Sequence, residues 1–150
     1  INIKGSISAF DDRVVLIGDS ASSKLYKNGI GAAYITAKAA ASTAIFQGVS
    51  KKDFKKHFHP TCRNLNRDNN IGKFIFMVTT IIQKTPVLKS SMLKMVINEQ
   101  QKDRSKRNLS SILWDTFTGS APYKDIFIRF LNPGVIFSLI GYTFRGIIKK

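Results

Sequence analysis

A short apolar run that halts at a Gly-Asp pair and then leads into an alanine-rich segment places the strongest constraint on this chain. Residues 14–17 are Val, Val, Leu and Ile, and Gly18 and Asp19 follow at once. A β-branched run of this kind ending at glycine predicts a buried strand of a parallel sheet. Asp19 then falls at the carboxyl edge, where open α/β sheets bind ligands. A polar loop leads to Asn28, Gly29, Ile30 and Gly31, and residues 32–47 follow without a proline. That segment reads as a helix, with Ala33, Ala37, Ala40, Ala41 and Ala44 on one side at helical spacing. So small a stripe allows close packing against a sheet.

The turn between strand and helix suits a ligand that combines hydroxyls with negative charge. An ionised Asp19 is acceptor-only, which matches a polyol. Gly29 and Gly31 allow close backbone approach. The first amides of the helix turn free N–H groups and a positive dipole end toward the same place. The alternative is an ordinary strand-loop-helix unit that holds no ligand.

The pattern Gly18-Asp19, nine residues, Gly29-x-Gly31 and an alanine helix resembles the second FAD motif of a flavoprotein superfamily. That superfamily includes the geranylgeranyl reductases and the p-hydroxybenzoate hydroxylase-like monooxygenases. The resemblance implies that Asp19 holds the flavin's ribityl chain and that the glycine-flanked helix start faces the isoalloxazine. Gly18, Asp19, Ser20, Asn28, Gly29, Ile30 and Gly31 are the cofactor-binding residues it indicates. The family usually has proline where Tyr26 stands, alanine or glycine where Ser22 stands and commonly alanine where Ser20 stands. The fold so implied is an α-rich α/β fragment, with one or two strands of a Rossmann-like FAD-binding sheet, the long helix and a helical C-terminal region. Residues 1–48 form the end of the FAD-binding domain on this reading, and residues 49–150 the helical region. The function implied is that of the C-terminal part of an FAD-dependent oxidoreductase, with NAD(P)H as a candidate reductant and a lipophilic compound as a candidate substrate. No G-x-G-x-x-G fingerprint occurs, so the adenosine-binding part is expected upstream in the same protein. No catalytic acid or base is assigned by any motif.

The formal charge of +15, from 24 Lys and Arg against nine acids, predicts attraction to anionic surfaces. A small basic helical protein that binds membranes or nucleic acid without catalysis is therefore the competing reading. RNA-recognition and zinc-finger signatures are missing, so nucleic acid is not expected as a partner. A single cysteine, Cys62, excludes an internal disulfide and fits a reducing, cytoplasmic location. His57, His59 and Cys62 lack a fourth ligand at usable spacing, so no metal site is expected.

Further along, Ile1, Ile3, Ile7 and Ala9 suggest an edge strand. Gly48 reads as a helix stop, and Ser50 with Asp53 as an N-cap. Phe54 and Phe58 mark a helix that Pro60 is expected to end or kink. A long or broken helix should run to Lys84, with Asp68, Asn69 and Asn70 either capping a new start within it or lining a substrate side. Thr85-Pro86 opens another helix, with Leu88, Met92 and Val96 on one face. Met77, Met92 and Met95 are candidates to shape an apolar cavity. Residues 100–107 are polar and charged and read as a linker. A short helix with Trp114 should stop near Gly119, and Ser120 and Pro122 should start the next. Residues 130–144 carry no charge, and Arg145, Lys149 and Lys150 follow. This stretch is shorter than the roughly 20 apolar residues that cross a bilayer. It reads either as an interfacial helix pinned by cations, peripheral at a membrane, or as a helix buried on its own core.

Overall fold

The computed structural model describes residues 6–22, 24–25, 29–103 and 107–148. Helix dominates the described residues. The chain divides into two compact units, Ile1–Asn70 and Ile71–Lys150.

In the first unit, β1 (Phe10–Asp11) and β2 (Val14–Val15) pair antiparallel, Phe10 opposite Val15 and Asp11 opposite Val14. Leu16 N–H extends the pairing to the Ala9 carbonyl at 2.8 Å. The parallel sheet expected around Val14, Val15, Leu16 and Ile17 is not present among the described residues. Only Asp12 and Arg13 join the two strands, and such a tight link permits antiparallel pairing only, since parallel strands need a crossover of a dozen residues or more. Arg13 takes the left-handed turn conformation, φ 57°. Ile1 and Ile3 lie outside the described residues.

Helix α1 (Gly29–Phe46) begins three residues earlier than the alanine pattern indicated and buries Ala32, Thr36, Ala40 and Thr43. This corrects the expected stripe, because Ala41 and Ala44 are exposed. The threonines can line the buried face because their hydroxyls donate to their own helix. Thr36 Oγ1 reaches the Ala32 carbonyl at 2.9 Å, and Thr43 Oγ1 reaches Ala39 at 2.8 Å. Each then packs as a small apolar surface.

Gly48 ends the helix at φ +127°. Ser50 then caps α2 (Lys51–Asp53) in a reciprocal capping box with Asp53. Phe54 and Phe58 are buried edge-to-face, their rings 6.3 Å apart, in a core with Ala9, Ala21, Ala40 and Cys62. Pro60 does not end the helix. A π turn at Phe54–Phe58, closed by His59 N–H on the Phe54 carbonyl, leads directly into α3 (His59–Lys84). The wider turn absorbs the irregularity that proline imposes on the preceding backbone.

In the second unit, α4 (Pro86–Gln100) carries proline in its first turn after Thr85. Its buried residues are Ser91, Met95 and Glu99, while Leu88, Met92 and Val96 are half-buried beside them. Helix α5 (Asn108–Thr118) stops at Gly119, φ +70°. Helix α6 (Tyr123–Phe130) begins with Pro122 in the N-cap position, and the Ser120 hydroxyl turns back to the Asp115 carboxylate instead of capping α6. Helix α7 (Pro133–Ile148) follows at a bend of 60° and packs on α4.

Glu99 joins two of these helices. Only 5% exposed, its carboxylate accepts from Leu109 N–H at 3.0 Å and from Ser110 N–H at 2.8 Å. The start of α5 thus takes its anionic cap from α4, since α5 has no acid in its own first turn.

Candidate functional site

The Gly18–Ser20 turn is one tight helical turn in which Ala21 N–H and Ser22 N–H both bond to the Gly18 carbonyl at 3.0 Å. Gly18 is buried at φ +65° and donates its N–H to Thr36 Oγ1 at 2.8 Å. A Cβ at Gly18 would meet Ala33, its Cβ at an ordinary 3.5 Å. The backbone conformation, more than lack of space, therefore calls for glycine.

Asp19 is exposed, and one of its carboxylate oxygens lies 3.9 Å from where a Gly29 Cβ would stand. The carboxylate therefore sits over the first turn of α1, which has no acid of its own. An acceptor-only carboxylate beside a helix N-terminus offers acceptor and donors side by side. Ser20, Gly29 and Ile30 are exposed and Gly31 is half-buried. Asn28 and Tyr26 lie outside the described residues.

The loop that follows is held by side chains that sequence reasoning placed elsewhere. Asp68 and Asn69 lie inside α3 and cap no new helix. Ser22 Oγ donates to Asn66 Oδ1 at 2.8 Å, and Leu25 N–H donates to Asn69 Oδ1 at 2.9 Å. Lys24 pairs with Asp68 at 3.8 Å, with both side chains largely buried. The run Asp68-Asn69-Asn70 in an otherwise helical stretch was the signal. Its meaning came from a loop 44 residues away.

Behind this loop, a cavity of about 150 Å³ is lined by Ala9, Phe10, Ala21, His59, Cys62 and Asn66 among others. His59 leans on the Phe10 ring at 5.5 Å. Burial pushes the Cys62 thiol up from its ordinary value, which keeps it protonated and unreactive. His57 points to solvent, and no cluster of metal-ligating side chains forms among the described residues.

The second unit holds a different kind of space. An apolar cavity of about 310 Å³ lies between the C-terminal half of α3 and helices α4, α5 and α6, with Phe74, Val78, Met92, Ile112 and Ile126 in its wall. Thr79 and Thr116 also line it, but each donates its hydroxyl to its own helix, to Ile75 at 2.8 Å and to Ile112 at 2.7 Å. The cavity thus offers contact to hydrocarbon and little to a polar group. Of the three methionines considered for such a role, Met92 lines it, Met77 is exposed and Met95 is buried outside its wall.

No protein-family model matches the chain, and no curated protein and no solved structure matches it either.

Proposed function

We propose that this chain is part of an FAD-dependent oxidoreductase acting on a lipophilic substrate. The observation that carries the reading is the Asp19 carboxylate lying against the glycine start of α1. Asp19 would accept from ribityl hydroxyls, and the Gly29–Ile30 start of α1 would face the carbonyl edge of the isoalloxazine. The bound flavin supplies the electron and hydride chemistry, with NAD(P)H as the proposed reductant. The residues of this chain bind and orient. A Rossmann-like sheet belongs to this proposal, supplied by an upstream part of the protein. Val14, Leu16, Ile17, Ile30 and Tyr34 are exposed on the first unit and give such a sheet apolar surface to cover. The apolar cavity supports a substrate with a hydrocarbon portion.

Flavin titration of the whole protein tests the reading. A carboxylate–hydroxyl bond contributes on the order of 1.5–3 kcal/mol, so Asp19→Ala should weaken FAD binding about tenfold or more. Equal flavin retention by variant and parent would leave Asp19 a helix-dipole partner only. The substrate class has its own test. Alkane binding to the cavity should raise the melting temperature, and Val78→Trp should abolish that rise.

A second reading, a basic binding protein without catalysis, is favoured by one observation. Lys52, Lys55, Arg63 and Arg67 are exposed along α2, the π turn and α3 and stand in none of the ion pairs seen among the described residues. Salt-dependent retention on DNA together with no flavin binding would select it.

A further inference from the structure

Helix α7 has two chemically different faces. Val135 is buried and Leu139 and Tyr142 are half-buried on the side that meets α4, where Asn98 Nδ2 donates to Tyr142 Oη at 2.7 Å. On the opposite side Phe137, Ile140 and Phe144 recur at helical spacing and are 72%, 45% and 62% exposed. Helix α4, packed beside it, exposes Leu93 and Ile97.

The charges on these two helices have one sign. Lys89, Lys94 and Arg145 are exposed, and the single acid of either helix, Glu99, is buried against the start of α5. Residues 71–150 hold thirteen Lys and Arg against four Asp and Glu, a net of +9.

We propose that the outward face of α7 docks on an anionic lipid bilayer, with the Phe137–Ile140–Phe144 stripe entering the headgroup boundary and the cations of the second unit meeting lipid phosphates and carboxylates. An apolar stripe bordered by cations and free of exposed acid is the composition of a helix that lies in the interface plane. No single helix among the described residues is long and apolar enough to cross a membrane, and the contact proposed is a peripheral one. A second copy of the chain is a poorer occupant, since a two-fold interface would bring two such cationic faces together. The proposal stands apart from the flavin reading and survives its failure.

Flotation of the whole protein with vesicles tests it, using phosphatidylcholine alone and phosphatidylcholine with about 30% phosphatidylserine. The parent should float with the anionic vesicles and much less with the neutral ones. Phe137→Ser/Phe144→Ser should bind at least about tenfold more weakly, because affinity follows buried apolar area. Both positions are exposed, so circular dichroism and melting should match the parent. Lys94→Glu/Arg145→Glu changes no apolar residue and should remove the preference for anionic vesicles, which keeps the test decisive if the serine variant misfolds. A parent that stays unbound, or a serine variant that folds and floats equally, overturns the proposal. So does a dimer that the serine substitutions dissociate when no vesicle binding is seen.

Discussion

Gly18 and Thr36 depend on each other. A residue with a side chain at Gly18, φ +65°, pays roughly 1–2 kcal/mol for the left-handed conformation, and Gly18→Ala should lose about that much stability in urea denaturation. Thr36→Val removes the acceptor from the buried Gly18 N–H and should cost about 1–3 kcal/mol. Thr36→Ser keeps the hydroxyl and should stay near the parent. Gly48 combines two demands, since its φ is +127° and an added Cβ would stand 2.5 Å from Asp53 Oδ2. Gly48→Ala should therefore also disturb the Ser50–Asp53 cap.

Among the elements, α5 is held by its neighbours at both ends. Glu99→Ala would leave Leu109 and Ser110 N–H without their carboxylate, at a cost of about 1–3 kcal/mol, seen as a lower melting temperature. At its other end, α5 is tied to α6 by Asp115, which accepts from Ser120 and pairs with Arg129. Burial works against the Asp115 carboxylate, but the Ser120 hydroxyl and the Arg129 guanidinium outweigh it and hold its carboxyl below the ordinary 3.8. With the folded pKa depressed, the stabilisation is fully present well above pH 3.8 and is lost as pH falls through the lower folded value. Asp115→Asn should flatten the fall in stability across that acid window, measured by denaturation at stepped pH. Equal acid sensitivity in variant and parent would remove Asp115 from the account.

Over the whole molecule the formal charge of +15 sets the behaviour in salt. Like-charge repulsion opposes compactness and is screened within about 10 Å at 0.1 M ionic strength. Raising salt from about 0.02 to 0.3 M should therefore raise the melting temperature, in contrast to a fold held mainly by surface ion pairs. The Asp12–Arg13 and Asp11–Lys51 pairs are well exposed. Exposed pairs contribute little.

What the sequence determined by itself is local. The helix stops at Gly48 and Gly119, the Ser50–Asp53 cap, the first-turn proline of α4 and the break before Asn108 each depend on residues a few positions apart. Backbone conformation at such points follows from near neighbours, so reading along the chain recovers it. Tertiary structure decided which polar side chains are buried and what they hold. Asn66 and Asn69 fasten a loop 44 residues away, and Thr36 receives an amide 18 residues away. It also decided that α1 buries threonines where alanines were expected, and that a π turn carries the helix past Pro60. The same holds for α7, whose composition fitted an interfacial and a core helix equally. Packing of one face on α4 left Phe137, Ile140 and Phe144 outside, because burial depends on what distant parts of the chain cover, and no local pattern encodes that.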